Sequence, residues 1–279
     1  MAPSRRSDLL RPSEAAFLVI DVQNYCAVPG RGIHRDDQLG ESPFLVRVNT
    51  HVLPNIRLLQ EAARLSGTEV MFTVIESMTA DGRDRSLDYK LSELHVPRGH
   101  PDAGVVSAVA PRGDEMVFRK TSCSVFNSTN IDYVLRNLGV TQLVVAGVVT
   151  NQCVESTVRD AADRGYLVTV VPDACAAYTS AAHDASIQTL AGFAAVVDTS
   201  TLVEELKAFS LDQPERWLIA SSWRRGNLQK RKASVPAEEE GVAAEDIANA
   251  SEGDKANNGG PVNSALGGGG GGGGSGGSG

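Results

Sequence analysis

Leu143-Val-Val-Ala-Gly147-Val-Val-Thr-Asn-Gln-Cys153-Val-Glu-Ser-Thr157 opens as a short apolar run, breaks at Gly147 and gives way to a helical pattern over 154–164. An apolar run of this length with β-branched residues reads as a strand buried on both faces. Similar runs stand on either side of it: Ala16-Phe-Leu-Val-Ile20, Val70-Met-Phe-Thr-Val-Ile75, Met116-Val-Phe118, Leu167-Val-Thr-Val-Val171 and Ala194-Ala-Val-Val197. Between the runs, 46–65 places Val48, Val52, Ile56, Leu59 and Ala63 three or four residues apart, and 130–138 is likewise helical. Strands alternating with helices imply an α/β fold: a doubly wound, mainly parallel sheet with helices on both faces, a Rossmann-like three-layer arrangement.

The alternation occupies 15–210, the expected folded domain, after an N-terminal lead over 1–14. Beyond it, 211–233 carries Trp217 and Trp223, which suit a docking helix, and the basic cluster Arg224, Arg225, Lys230, Arg231 and Lys232. Residues 234–279 are acidic and then Gly/Ser-rich, with a run of glycines from Gly267 to Gly274. Too few apolar residues remain there to offset an ordering entropy of roughly 1–2 kcal/mol per residue, so disorder is expected. Of 279 residues, 26 are basic and 34 acidic, a net charge of −8 that disfavours nucleic acid as a partner. No run approaches the ~18 apolar residues of a membrane span, and the first apolar run is too short for a signal peptide. Four cysteines, Cys26, Cys123, Cys153 and Cys175, form no CxxC pair. A reducing, cytoplasmic setting is therefore expected.

Three residues carry the chemistry. Cys153 stands in the first turn after a buried strand, where unpaired backbone N–H groups and the helix dipole favour a thiolate. A cysteine that only fills a strand–helix junction fits the same pattern. Asp21 ends the first strand in Val19-Ile-Asp-Val-Gln-Asn24, and Lys120 ends another in Val117-Phe-Arg-Lys-Thr121. Parallel α/β sheets place their ligand crevice at that carboxyl edge. Each also has a plainer reading, a turn residue for the Asp and a solvated surface charge for the Lys.

Together, the Asp of IDVQN, the Lys of FRKTSCSVF and the Cys of GVVTNQCVEST resemble the isochorismatase-like cysteine hydrolase superfamily over about 15–206. The resemblance implies a catalytic triad, with Cys153 as nucleophile, Asp21 as base and Lys120 holding the charges in place. It also implies a cis peptide between Val148 and Val149 and an oxyanion hole made by the N–H groups of Val149 and Cys153. A lysine beside a carboxylate and a thiolate favours the charged forms of both, which agrees with those roles.

Within the superfamily, Asn24 and the stretches 128–136 and 153–160 look most like ureidoacrylate and N-carbamoyl amidohydrolases. Nicotinamidases hold a metal through an Asp-x-His pair and a further His. This chain instead reads Ile75-Glu-Ser-Met-Thr-Ala-Asp-Gly-Arg-Asp-Arg85 there, and Glu93-Leu-His95 is its nearest imitation. No metal and no cofactor are therefore expected. Asn24, Glu76, Arg83 and Arg85 are candidate substrate-binding residues, the arginines for a carboxylate and Glu76 for a ureido NH₂; a surface salt-bridge cluster is the alternative for the last three. Glu155, Arg159 and Asp160 are expected to brace the helix that follows Cys153.

The expected activity is cysteine-dependent hydrolysis of a C–N bond in a small amide or ureide through a thioester acyl-enzyme, by a homo-oligomer. Two alternatives stay open. One is a nicotinamidase-like or other amidase of the same superfamily, and the other a non-catalytic relative that binds small molecules or senses thiol oxidation.

Overall fold

A computed structural model describes residues 10–212. The expectations for the start of the N-terminal lead, for Trp217, Trp223 and the basic cluster, and for the acidic and glycine-rich tail lie outside the described residues.

Six strands form one sheet: β1 (Ala15–Ile20), β2 (Glu69–Ile75), β3 (Met116–Lys120), β4 (Gln142–Val148), β5 (Leu167–Ala176) and β6 (Ala195–Val196). Their spatial order is β3-β2-β1-β4-β5-β6, and every neighbouring pair is parallel. All of β1 and β4 is buried, as is β2 beyond its first residue, because helices cover both faces. The helices are α1 (Asn24–Ala27), α2 (Pro43–Arg47), α3 (Leu53–Ser66), α4 (Leu87–Leu91), α5 (Ile131–Leu138), α6 (Glu155–Asp163), α7 (Ser180–Leu190) and α8 (Thr199–Asp212). Helix α3 packs against α8, and α5 and α6 both pack on the turn Val125–Asn127. Right-handed crossovers from β1 to β2 and from β4 to β5 run in opposite directions along the sheet, which places α3 and α6 on opposite faces. The strand order reverses beside β1, where chains leaving β1 and β4 diverge and open a crevice at their carboxyl ends.

Two elements depart from their sequence reading. Strand β5 continues to Ala176, past the apolar run that ends at Val171 and through Pro172. Its pairing with β4 jumps from Val145↔Val170 to Gly147↔Cys175, so Pro172 falls in the irregular stretch, where its missing N–H leaves no gap in the ladder. The helix expected over 46–65 begins earlier, at Pro43, with Ser42 Oγ accepting the N–H of Leu45 at its start. It then passes through a wide π turn at Val48–Val52 just ahead of Pro54, which has no N–H to donate.

Gly147 of β4 pairs with Ile20 at the end of β1. Its φ is 128°, and a Cβ there would stand 2.2 Å from the carbonyl oxygen of Ile20. Only glycine fits, and the close approach brings the residues after Ile20 and Val148 together.

Candidate active site

Asp21 follows β1 with φ 52°, a left-handed conformation that Asp tolerates better than most residues. Two contacts with β2 fix it there. Its N–H donates to the Thr73 carbonyl at 3.1 Å, and the Thr73 hydroxyl donates to Asp21 Oδ1 at 2.6 Å. Gln23 extends the link between the two strands, donating from Nε2 to the Ile75 carbonyl and accepting the Ile75 N–H. Lys120 is the last residue of β3, with β2 between it and β1. At a strand spacing of about 4.8 Å, that separation is roughly 10 Å, which demands a long side chain. Its ammonium reaches Asp21 Oδ2 at 2.8 Å and Cys153 Sγ at 3.3 Å. Cys153 lies in the π turn Thr150–Val154 that leads from β4 into α6, and the peptide between Val148 and Val149 is cis. The Val149 carbonyl accepts the N–H groups of Gln152 and Val154, which closes that turn. Three residues 33 to 132 positions apart in the chain thus meet at one sheet edge.

Burial makes these charges consequential. Lys120 is 0% and Asp21 1% exposed. Burial alone disfavours the Lys120 charge, but the carboxylate of Asp21, the sulfur of Cys153 and the oxygen of Tyr89 outweigh it, so the ammonium titrates well above the usual lysine range. Tyr89 and Cys123 also belong to this cluster. The Tyr89 hydroxyl lies 2.8 Å from Lys120 Nζ and 3.6 Å from Cys153 Sγ, and donates to the Ser122 carbonyl. Cys123 Sγ is 3.9 Å from Cys153 Sγ. Its contact with the Cys153 sulfur draws the Cys123 thiol down to about 7, with help from the Ser156 hydroxyl and Lys120 and against its burial. The same contact, together with burial, pushes the Cys153 thiol up, while Lys120 pulls it down. The two sulfurs are thus coupled: the contact that favours the charged form of Cys123 disfavours that of Cys153, and Lys120 favours both.

The Isochorismatase domain family matches residues 15–201. The chain belongs to this family. Ureidoacrylate amidohydrolase RutB of Rhizobium rhizogenes is 30% identical over 181 residues, 59% of this chain and 71% of that protein. RutB of Methylobacterium radiotolerans is 32% identical over 186 residues, 59% and 68% of the two chains. Among solved structures, a cysteine hydrolase from Pseudomonas syringae pv. phaseolicola superposes with a TM-score of 0.65 at 27% identity, covering 75% of this chain and all of that one. N-carbamoylsarcosine amidase from Thermoplasma acidophilum gives 0.54 at 25% identity, covering 67% and 96%. The superfamily read from the three motifs, and the doubly wound fold read from the alternation of strands and helices, are thus borne out.

The remaining candidate residues of this isochorismatase-family chain sit differently from Asp21, Lys120 and Cys153. Asn24 donates from its side chain to the Pro101 carbonyl and from its backbone to the Gly104 carbonyl, holding the loop at 101–104. Glu76 is buried, accepts the Gly99 N–H at 2.7 Å and pairs with Arg119. Arg85 donates to the carbonyls of Gly82 and Leu94. Arg83 pairs with Asp81, both largely exposed. Of the four, Asn24, Glu76 and Arg85 thus have their polar atoms engaged in bracing loops. Glu155 pairs with Arg159 and accepts from the Ser186 hydroxyl, and Asp160 pairs with Arg164, so these residues do brace α6 and its surroundings. Among the described residues, no three His, Cys, Asp or Glu side chains are grouped to hold a metal ion. No described helix is long and apolar enough to cross a membrane.

Sequence reasoning missed Tyr89 as a member of the cluster, because its approach depends on a short helix in an otherwise irregular loop. Ser86 caps α4 by accepting the Tyr89 N–H, and its own N–H donates to the Thr121 carbonyl just past β3. That tie lays α4 against the end of β3 and brings Tyr89 to Lys120. Cys123 had a usable signal, a second thiol three residues after Lys120 at the same strand end.

Proposed function

We propose that this chain is a cysteine-dependent amidohydrolase that cleaves a small N-carbamoyl or ureido compound bearing a carboxylate. The observation that carries the reading is the buried Lys120 ammonium placed between Asp21 Oδ2 and Cys153 Sγ. The names of the relatives, ureidoacrylate amidohydrolase and N-carbamoylsarcosine amidase, support a C–N bond in such a substrate.

In this mechanism Asp21 accepts the thiol proton, and the Cys153 sulfur attacks the ureido carbonyl carbon. Negative charge moves to the carbonyl oxygen, which the N–H groups of Val149 and Cys153 stabilise. Collapse expels ammonia, protonated from Asp21, and leaves the acyl group on sulfur. Water, deprotonated by the regenerated Asp21 carboxylate, then attacks the acyl carbon. The Cys153 sulfur leaves, and the carbamate released loses carbon dioxide to give the amine. Lys120 remains charged throughout and stabilises the carboxylate and the sulfur in turn. Arg83 is the candidate for the substrate carboxylate, since an exposed ion pair such as its pair with Asp81 is weak and readily exchanged. Arg85, Glu76 and Asn24 would shape the binding region through the loops they hold.

Ammonia release from a panel of ureides, N-carbamoyl amino acids and simple amides tests the proposal. Turnover of carboxylated ureides is expected. Efficient turnover of nicotinamide with none of ureides would overturn the substrate class.

A further inference from the structure

Cys123 has no part in the hydrolytic mechanism, yet its sulfur stands 3.9 Å from that of Cys153, across 30 positions of sequence, and Cys153 in turn lies 3.3 Å from the Lys120 ammonium. We propose that Cys123 is the resolving thiol of Cys153, so that oxidation by a hydroperoxide closes a reversible Cys123–Cys153 disulfide instead of destroying the nucleophile. The inference rests on Cys153 being the reactive thiol of the proposed function, but the covalent product can be read without any turnover.

The surroundings suit both steps. Lys120 favours negative charge on Cys153, and the Ser156 hydroxyl donates to Cys123 Sγ at 3.4 Å. Cys123 is half-buried, at the end of β3 in the Ser122–Ser124 loop, whereas Cys26 and Cys175 are fully buried. Burial pushes the thiol of Cys26 upward and that of Cys175 up to about 12; Cys123 and burial push that of Cys153 up as well, but its sulfur lies 3.3 Å from the Lys120 ammonium, which favours its charged form. Cys123, drawn down to about 7, is ionised at neutral pH to a useful extent.

In the first step the Cys153 thiolate attacks one peroxide oxygen and the O–O bond breaks. Cys153 becomes a sulfenic acid, and the hydroxide released takes up a proton to give water. In the second, the Cys123 thiolate attacks the Cys153 sulfur, the S–S bond forms and the S–O bond breaks, and the departing hydroxide leaves as a second water. Two thiols are oxidised and one peroxide is reduced. The sulfurs must close to about 2.05 Å, a movement that the short loop carrying Cys123 can supply.

Trypsin cuts after Lys120, Arg136 and Arg159, which puts the two cysteines on separate peptides, 121–136 and 137–159. The reduced full-length chain is treated with a small excess of hydrogen peroxide, blocked with iodoacetamide and digested. The two peptides are expected joined, and separated again by dithiothreitol. Ammonia release should be lost as the link forms and regained on reduction. In Cys123→Ser, Cys153 should pass on to sulfinic acid, with a loss that dithiothreitol does not restore. Peptides that stay separate in the wild-type chain, with Cys153 reaching sulfinic acid as fast as in Cys123→Ser, would overturn the proposal. Joined peptides in a chain that turns over no amide or ureide would leave the thiol pair standing and sink the proposed function instead.

Discussion

At the carboxyl edge of the sheet, Asp21, Lys120 and Cys153 arrive from three different strands and meet almost without exposed surface. In the segment after β2, Glu76, Arg83 and Arg85 are close in sequence, but they bond chiefly within that segment or to Arg119 beside it. Sheet register fixes the first group, since each residue is anchored by a strand whose neighbours are set by hydrogen bonding. The second group answers to the loop's need to satisfy its own carbonyls and N–H groups. Charged residues at strand ends are therefore readable as chemistry, whereas charged residues in a long loop must first be tested as scaffolding.

The sharpest break with this contrast would come from Cys153. Cys153→Ala and Cys153→Ser should each lower turnover about a thousandfold or more, because residues acting as one unit fail together. Thermal unfolding should show a stability change of only about 1 kcal/mol, as expected where a small side chain is altered without a large cavity. Full activity in the alanine variant would reduce the sheet edge to scaffolding as well.

Lys120→Met keeps most of the stem and removes the charge. Leaving Asp21 buried without its cation should cost about 3–5 kcal/mol in urea unfolding. The thiols offer a second readout. In the wild-type chain, alkylation of Cys123 by iodoacetamide should rise as pH passes about 7. Lys120 pulls both thiols down, so its loss should move that rise to higher pH. An unmoved profile would show that the cation does not set thiol reactivity.

The loop should respond differently. Arg85→Ala removes donors to Gly82 and Leu94 and is expected to cost about 1–3 kcal/mol, with a smaller effect on turnover than any triad substitution. Arg83→Ala should change stability least of all, its partner being an exposed Asp81. It should raise KM for carboxylated substrates more than for neutral ones while leaving kcat near its wild-type value. Equal KM changes for both classes would remove Arg83 as a carboxylate ligand.

Much of the fold was legible because buried parallel strands are written as continuous apolar runs. Strands β1, β2 and β4 lie where Ala16–Ile20, Val70–Ile75 and Leu143–Ala146 place them, β1 and β2 each extended by one residue at the start and β4 by one at its start and two at its end. The extension of β5 past Pro172 was not legible, since an irregular pairing with β4 absorbs a residue that ordinarily ends a strand. Asp21, Lys120 and Cys153 were visible as motifs at strand ends, but not their burial or the distances between them. Tyr89 carried no signal, and Cys123 showed only as a second thiol at a strand end. Their approach to Cys153 depends on the backbone of two loops, tied together by the Ser86 N–H on the Thr121 carbonyl, and loops carry no periodic signal.

Covalent catalysis at Cys153 is tested most directly by quenching the full-length chain in acid during turnover of a carboxylated ureide and weighing its tryptic peptides. The peptide 137–159 should carry the substrate's acyl mass on Cys153 while substrate remains, and return to its free mass once substrate is exhausted. Sustained ammonia release with no acylated peptide at any quench time, together with undiminished turnover in Cys153→Ala, would contradict it.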